Sequence, residues 1–162
     1  DDIDLPSMNK TYEEMIKDHP FLKEIIHRYF LEKKFSEIRQ ENFDNLYSFF
    51  FNNKFLKVPK QLSQVKTSWL AFPLTITSNA PFSRMELVKY LETNNIQTRP
   101  IFTGNVLRQP AFKNINYKNL ENDFHVSNNI MKNSFLIGCN HGLTSKHMEK
   151  IKNIFTKFLK NF

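Results

Sequence analysis

Residues 68–91 read SWLAFPLTITSNAPFSRMELVKYL, and a change of hydrophobic period inside this stretch sets the fold class. Ser68 to Ile76 is apolar and rich in β-branched and aromatic residues, the composition of a strand. Pro73 has no N–H to give to a ladder, so the strand is expected at a sheet edge or with a bulge at that point. After a polar turn, Ser83 stands three residues before Glu86, the spacing of a capping box, and Leu87, Val88 and Leu91 follow on one helical face. That helix is expected to end at Asn94-Asn95.

The same alternation continues downstream. Ile96 to Phe102 reads as a second strand interrupted by Pro100, leading into Thr103-Gly104-Asn105. Asn122 to Asn133 reads as a helix capped by Asn122 or Asp123, with Val126, Ile130 and Met131 facing inward. Ser134 to Ile137 is a short buried strand feeding Gly138-Cys139-Asn140-His141-Gly142-Leu143. Thr144 or Ser145 then caps a last helix whose apolar face is Met148, Ile151, Ile154, Phe155, Phe158 and Leu159.

Upstream, Asp18 or His19 can cap a helix that Pro20 opens, because the first turn needs no N–H from proline. Apolar residues recur at three and four from Phe21 to Phe50, as one long helix or two joined near Lys33-Lys34. The Phe49-Phe50-Phe51 run is wider than one amphipathic stripe and should be covered. Asn52-Asn53 ends it, Phe55 to Lys66 connects, and Asp1 to Lys10 is an acidic arm. The fold class expected is α+β: a small, largely antiparallel sheet with packed helices, preceded by a long N-terminal helix.

Composition narrows the function classes. A chain of 162 residues suits one domain with a helical arm. The 40% hydrophobic content, including 17 phenylalanines, supplies a core and argues against disorder. No apolar run reaches the roughly 18 residues a membrane helix needs, so no membrane partner is expected. One cysteine, Cys139, makes neither an internal disulfide nor a four-cysteine metal site. The net charge of +7 suits nucleic acid, acidic membrane surfaces or phosphorylated ligands, but the charges are spread rather than blocked. The chain opens on Asp1-Asp2-Ile3-Asp4 with neither Met nor a basic-apolar leader. The expectation is a cytoplasmic processed product or a fragment of something longer.

Only 3 glycines occur, in two loops, which draws attention to both. The first, QTRPIFTGNVLRQP (97–110), gathers two guanidinium groups, two amides and Gly104 at a strand end. Arg99 and Arg108 could hold a phosphate or carboxylate, with Asn105 and Gln109 beside them. Equally open is a structural reading in which Arg99 pairs with Glu92 and Asn105 caps the turn. The second, GCNHGL (138–143), places His141 at a strand-to-helix turn from which a side chain can reach a site. His147 is six residues on, which is not the helical pair of a zinc protease, and His19, His27 and His125 show no ligand spacing. No GxGxxG, GxxxxGK, nucleophile elbow or RNA-recognition signature is present, so no metal ligand and no catalytic residue is assigned.

Four stretches then become recognisable: WLAFPLTI (69–76), SRMELVKYLE (83–92), NIQTRPIFTGNVLRQPAF (95–112) and FLIGCNHGLT (135–144). They resemble the C-terminal small domain of the DegT-type nucleotide-sugar aminotransferases, and within them the CDP-4-keto-6-deoxyglucose 3-dehydratase branch of lipopolysaccharide sugar synthesis. SEIRQENF (36–43) is similar to the helix linking that family's two domains. The resemblance spans residues 35–162 and leaves 1–34 as an arm and helix of unassigned role.

The resemblance implies the aspartate aminotransferase fold, fold-type I, in which a large domain binds pyridoxal phosphate and a small α+β domain closes over it. It places Arg99, Asn105 and His141 on the face turned to cofactor and sugar nucleotide, with Arg108 and Gln109 nearby. In the dehydratase branch the cofactor is pyridoxamine phosphate and a histidine replaces the aldimine lysine. The family's cofactor-stacking aromatic, pyridine carboxylate, phosphate turn and catalytic base are not found in these residues, and the chemistry depends on them. The chain alone is therefore expected to be silent and to bind no cofactor. Its implied partners are the large pyridoxal-binding domain in the same or another chain and a nucleotide-sugar substrate, with a homodimer for the full enzyme. Transamination is the alternative reaction. The alternative of another class is a non-catalytic basic module that completes a partner chain, exposing Phe43 to Phe51, or binds nucleic acid, which is the less expected partner.

Overall fold

The computed structural model describes residues 20–65, 67–118 and 124–162. In chain order it forms α1 (Pro20–Phe50), β1 (Leu56–Lys57), β2 (Ala71–Ile76), α2 (Arg84–Thr93) and β3 (Thr98–Pro100). Two single-turn 3-10 helices follow, Val106–Arg108 and Pro110–Phe112, then α3 (His125–Asn133), β4 (Ser134–Gly138) and α4 (Ser145–Leu159). The four-stranded sheet has the order β1-β2-β4-β3, and all three pairings are antiparallel. This is the α+β architecture expected, with the expected long helix in front.

The strand pattern explains which face is buried. Phe72, Leu74 and Ile76 of β2 point into the core, while Ala71, Pro73 and Thr75 alternate to the other face. On that second face the Thr75 and Ser134 hydroxyls lie 2.8 Å apart across the β2–β4 pair. Although β2 is second in the sheet, Pro73 still has an open side. β1 covers only Thr75 and Ile76, and continuing its register would set Pro59 opposite Pro73, two residues without an N–H. The proline that reads as an edge signal thus explains why β1 is so short.

α1 is one helix, not two. Its second half buries Phe43, Leu46 and Phe50. Phe43 stacks on Trp69 with ring centroids 4.1 Å apart, and Phe50 meets Phe155 of α4 edge-on at 4.7 Å. The Phe-rich end is therefore covered by this chain's own sheet and C-terminal helix, leaving Phe51 exposed. Exposure of the whole Phe43–Phe51 segment, expected of a domain stripped of its neighbour, is not what the fold shows.

The capping box forms as read. The Glu86 N–H donates to Ser83 Oγ at 3.2 Å and the Ser83 N–H to the Glu86 carboxylate at 2.7 Å. α2 stops where expected, at Asn94, with Asn95 in the left-handed region. Thr144 caps α4, its N–H donating to His147 Nδ1 at 3.1 Å.

Three expectations need correction. The strand read over Ile96 to Phe102 pairs only from Thr98 to Pro100, because Phe102 takes a positive φ that no ladder accommodates. The strand read from Ser68 begins at Ala71. α3 starts at His125, so its inward face is shifted and Val126 is exposed rather than facing inward; the proposed caps Asn122 and Asp123 lie outside the described residues. Among the described residues no helix is long and apolar enough to cross a membrane.

Candidate functional site

The loop after β3 is built on Gly104 and Asn105. Gly104 holds a φ of +67°, which turns the chain sharply. Asn105 is buried: its Oδ1 accepts the Leu107 N–H at 3.1 Å, starting the first 3-10 turn, and its Nδ2 donates to Asn128 Oδ1 at 2.8 Å. Arg108 Nε donates to the same oxygen at 3.1 Å, and Gln109 Nε2 donates to the Thr103 carbonyl at 3.2 Å. The structure thus brings Asn105, Arg108 and Gln109 into one loop and pins that loop to α3 through Asn128. Asn128 was not singled out from sequence, where it is one more asparagine in a helix.

Arg99 stands on β3 opposite Leu136 and is exposed. Glu92 does not neutralise it by contact. The Thr98 hydroxyl donates to Glu92 Oε1 at 2.8 Å, and the Thr98 N–H donates to the same oxygen. These bonds, the hydroxyl's first, hold the Glu92 carboxyl below the usual glutamate range. Arg99 instead borders a cleft of about 430 Å³ whose wall also carries Gln97, Asn140, His147 and Lys150.

His141 belongs to a different neighbourhood. Because β3 runs antiparallel to β4, the Asn105 loop leaves one end of the sheet and the GCNHGL loop leaves the other. His141 stacks on Phe35 of α1, with centroids 3.8 Å apart and planes 16° from parallel. Arg39 Nη2 lies 3.2 Å from His141 Nδ1, and since a guanidinium only donates, Nδ1 is the acceptor and the neutral ring carries its proton on Nε2. Asn42 donates to the Asn140 and Leu143 carbonyls at 2.9 and 3.3 Å, tying the loop to α1 at its middle and its C-terminal end. Neither Arg39 nor Asn42 was marked from sequence, since they lie about a hundred residues before the loop they hold.

Cys139 is an inert part of this anchorage. It is fully buried, its Sγ faces the Arg39 carbonyl at 3.7 Å, and burial, reinforced by the Asp44 carboxylate, pushes its thiol up to about 12. Thiol-disulfide reagents at neutral pH are expected to leave Cys139 unmodified in the native chain and to titrate it fully in denaturant. Rapid labelling of native protein would mean that the loop opens readily. Among the described residues no cluster of three or more His, Cys, Asp or Glu side chains could hold a metal.

Residues 31–156 match the model of the DegT/DnrJ/EryC1/StrS aminotransferase family. The chain belongs to this family. The lipopolysaccharide biosynthesis protein RfbH of Salmonella typhimurium is 34% identical over 127 residues, which cover 78% of this chain and 29% of RfbH. The GDP-4-keto-6-deoxy-D-mannose 3-dehydratase of Yersinia pseudotuberculosis is 28% identical over 121 residues, 75% of this chain and 30% of the enzyme. A solved E. coli GDP-4-keto-6-deoxy-D-mannose-3-dehydratase with bound hydrated pyridoxal phosphate superposes with a TM-score of 0.67 at 24% identity, over 75% of this chain and 31% of that one. The DegT-type fold expected from sequence is thereby shown, in a family whose members depend on pyridoxal phosphate. The chain spans about 30% of the length of these relatives.

The wall of the Arg99 cleft does not by itself make a pyridoxal phosphate site. The Arg99 cleft offers Lys150 and Arg99, but its wall has no carboxylate to face a pyridine nitrogen. The chemistry of the cofactor, withdrawal of electrons from a bound carbon, therefore needs groups beyond those in this wall.

Proposed function

We propose that this chain is the small domain, residues 35–162, of a pyridoxal- or pyridoxamine-phosphate enzyme that 3-dehydrates a CDP-linked 4-keto-6-deoxy sugar for lipopolysaccharide synthesis. The observation that carries the reading is the family match over residues 31–156 together with coverage of only 29% of RfbH. In this reading a large pyridoxal-binding domain supplies the cofactor site, in the same or another chain, and the full enzyme is a cytoplasmic homodimer. Without that domain the chain is silent. Arg99 and Arg108 hold the sugar nucleotide's phosphates, Asn105 and Gln109 shape the loop that presents Arg108, and His141 offers its Nε2–H. Residues 1–34 keep no assigned role. Transamination is the second reading, supported by the family description itself.

Two experiments test it. The chain alone, mixed with pyridoxamine phosphate and CDP-4-keto-6-deoxyglucose, is expected to consume no sugar; turnover would mean that it carries a complete active site. This chain can also replace the matching segment of the Yersinia dehydratase, and the hybrid is assayed with CDP- and GDP-linked ketosugars. Retention of the cofactor absorption band with 3-dehydration of the CDP sugar is expected. An amino sugar product selects transamination, and a cofactor-loaded hybrid inert to both sugars rejects the reading.

A further inference from the structure

We infer that the cleft of about 350 Å³ between α1 and the loop of residues 61–63 is a binding site for an alkylguanidinium cation, with Asp44 as its counter-charge. The inference goes beyond the sugar-enzyme reading, in which Gln40, Phe43, Asp44, Tyr47 and Gln61 have no role.

Helical spacing brings the first wall together. Gln40, Phe43, Asp44 and Tyr47 stand at i, i+3, i+4 and i+7 of α1, which is one stripe of a helix, and all four border the cleft. Gln40 ties this wall to the opposite one, its Nε2 donating to Asp44 Oδ1 at 2.9 Å and to Gln61 Oε1 at 3.2 Å. Gln61 is held in turn from behind. The Trp69 Nε1–H donates to the same oxygen at 3.0 Å, and Gln61 Nε2 donates to the Val65 carbonyl at 3.1 Å. The carboxylate thus stands in a cleft whose walls are already bonded together, which lowers the ordering cost of binding.

Charge selects a cation. The described wall contains no Lys, Arg or His, and Asp44 makes no ion pair among the described residues, in a chain of net charge +7. Lys152 shares the groove on the other side of Asp44 with Glu41, but Glu149 engages it at 3.4 Å. The Asp44 charge also acts inward, where it opposes ionisation of the buried Cys139 thiol.

The rings select the kind of cation. Phe43 and Tyr47 border the cleft and Phe51 extends their row, with neighbouring ring centroids 5.9 and 5.2 Å apart. Aromatic surface beside a carboxylate favours a planar, weakly hydrated guanidinium over a compact, strongly hydrated ammonium. The guanidinium fork can give two N–H groups to the Asp44 carboxylate, and the exposed Leu62 side chain gives an alkyl stem something apolar to lie against. Small-molecule sites occupy roughly 300–1,000 Å³, so the cleft has room for a free guanidino compound or for an arginine side chain.

The single tryptophan reports on the cleft, because its indole N–H bonds to Gln61 in the wall. The test follows the Trp69 indole cross-peak by NMR while the 162-residue chain is titrated with ethylguanidine, its neutral isostere ethylurea, and propylamine. Ethylguanidine is expected to shift the peak saturably, propylamine to bind about twofold or more weaker, and ethylurea to give no saturable shift. Asp44→Asn is expected to weaken ethylguanidine about fivefold and Asp44→Glu to keep most of the affinity, while Glu24→Gln, far along α1 and paired with Arg28, binds like the parent. A blocked pentapeptide with one central arginine separates the two sources: tighter binding than ethylguanidine assigns the cleft to a protein arginine, weaker binding to a free guanidino compound. No saturable shift, an equal response to ethylurea, propylamine binding as tightly as ethylguanidine, or unchanged affinity in Asp44→Asn would each overturn the proposal. The three-probe comparison uses the parent chain and stands whatever Asp44→Asn does to folding.

Discussion

Phe72→Ala is expected to lower the stability of this chain by about 3–5 kcal/mol. Phe72 is fully buried in β2, between the sheet and α1, with ring centroids 5.2 Å from Phe43 and 6.0 Å from Phe50. Removing the ring leaves a void that its neighbours are poorly placed to fill. Phe43 is held by its stack on Trp69, and Trp69 in turn donates its Nε1–H to Gln61 at 3.0 Å. Phe50 is held edge-on against Phe155, itself fully buried. The cost is thus both the lost transfer of the ring out of water and the contacts its neighbours forfeit. Against the total of about 5–15 kcal/mol typical of a domain, such a loss shifts much of the population toward the unfolded state near physiological temperature. Urea titration should show a lower midpoint with an unchanged slope. Phe51→Ala, one residue beyond the last buried ring and exposed, is the control and should stay within about 0.5 kcal/mol of the parent. A loss below about 1 kcal/mol for Phe72→Ala would mean that β2 and α1 can close on each other, which the pinned rings argue against.

What could be read from the sequence was what depends on near neighbours. Ser83 and Glu86 are three residues apart and cap a helix whatever lies around them. The alternation at Phe72, Leu74 and Ile76 names the buried face of β2 without knowledge of its partners. Pro73 announces an unpaired side, and only the opposing Pro59, fourteen positions away, says why. What could not be read depends on distant residues or on backbone states that side chains rarely choose. Phe102 and Phe124 both adopt positive φ, which for an L-aromatic residue no sequence rule anticipates, and these two positions end β3 and delay α3. The delay moves Val126 from the expected inner face to solvent. His141 could be flagged by its glycine neighbours, but its tautomer is set by Arg39, 102 residues earlier. Glu92 was a plausible partner for Arg99, yet Thr98 is the residue that β3 brings within reach, and Arg99 is released to the cleft.

Gly104→Ala is expected to cost about 2–5 kcal/mol and to displace the loop that carries Asn105, Arg108 and Gln109. Two effects combine. A φ of +67° costs an L-residue about 1–2 kcal/mol that glycine avoids. A Cβ at this position would also lie 2.4 Å from Met131 Cβ and 2.5 Å from Met131 Cα, and overpacking of this kind costs about 1–3 kcal/mol more. Because one of those atoms is backbone, no rotamer of Met131 relieves the contact. The loop must instead move off α3, lengthening the Asn105–Asn128 and Arg108–Asn128 hydrogen bonds of 2.8 and 3.1 Å. Gly138→Ala meets the Leu143 Cδ1 at 3.6 Å and the Asn140 Nδ2 at 3.9 Å, ordinary contacts, and should be far milder. The mechanism is separable from a simple side-chain clash by adding Met131→Ala. If backbone approach is the cause, G104A/M131A is no more stable than the sum of the two single changes. Rescue by Met131→Ala would place the obstruction in the methionine's tip and leave the close approach of loop and helix without consequence. Paired measurements of the four chains by thermal and urea unfolding decide the point, and in the hybrid dehydratase G104A should also lower turnover, since the displaced loop is the one that presents Arg108.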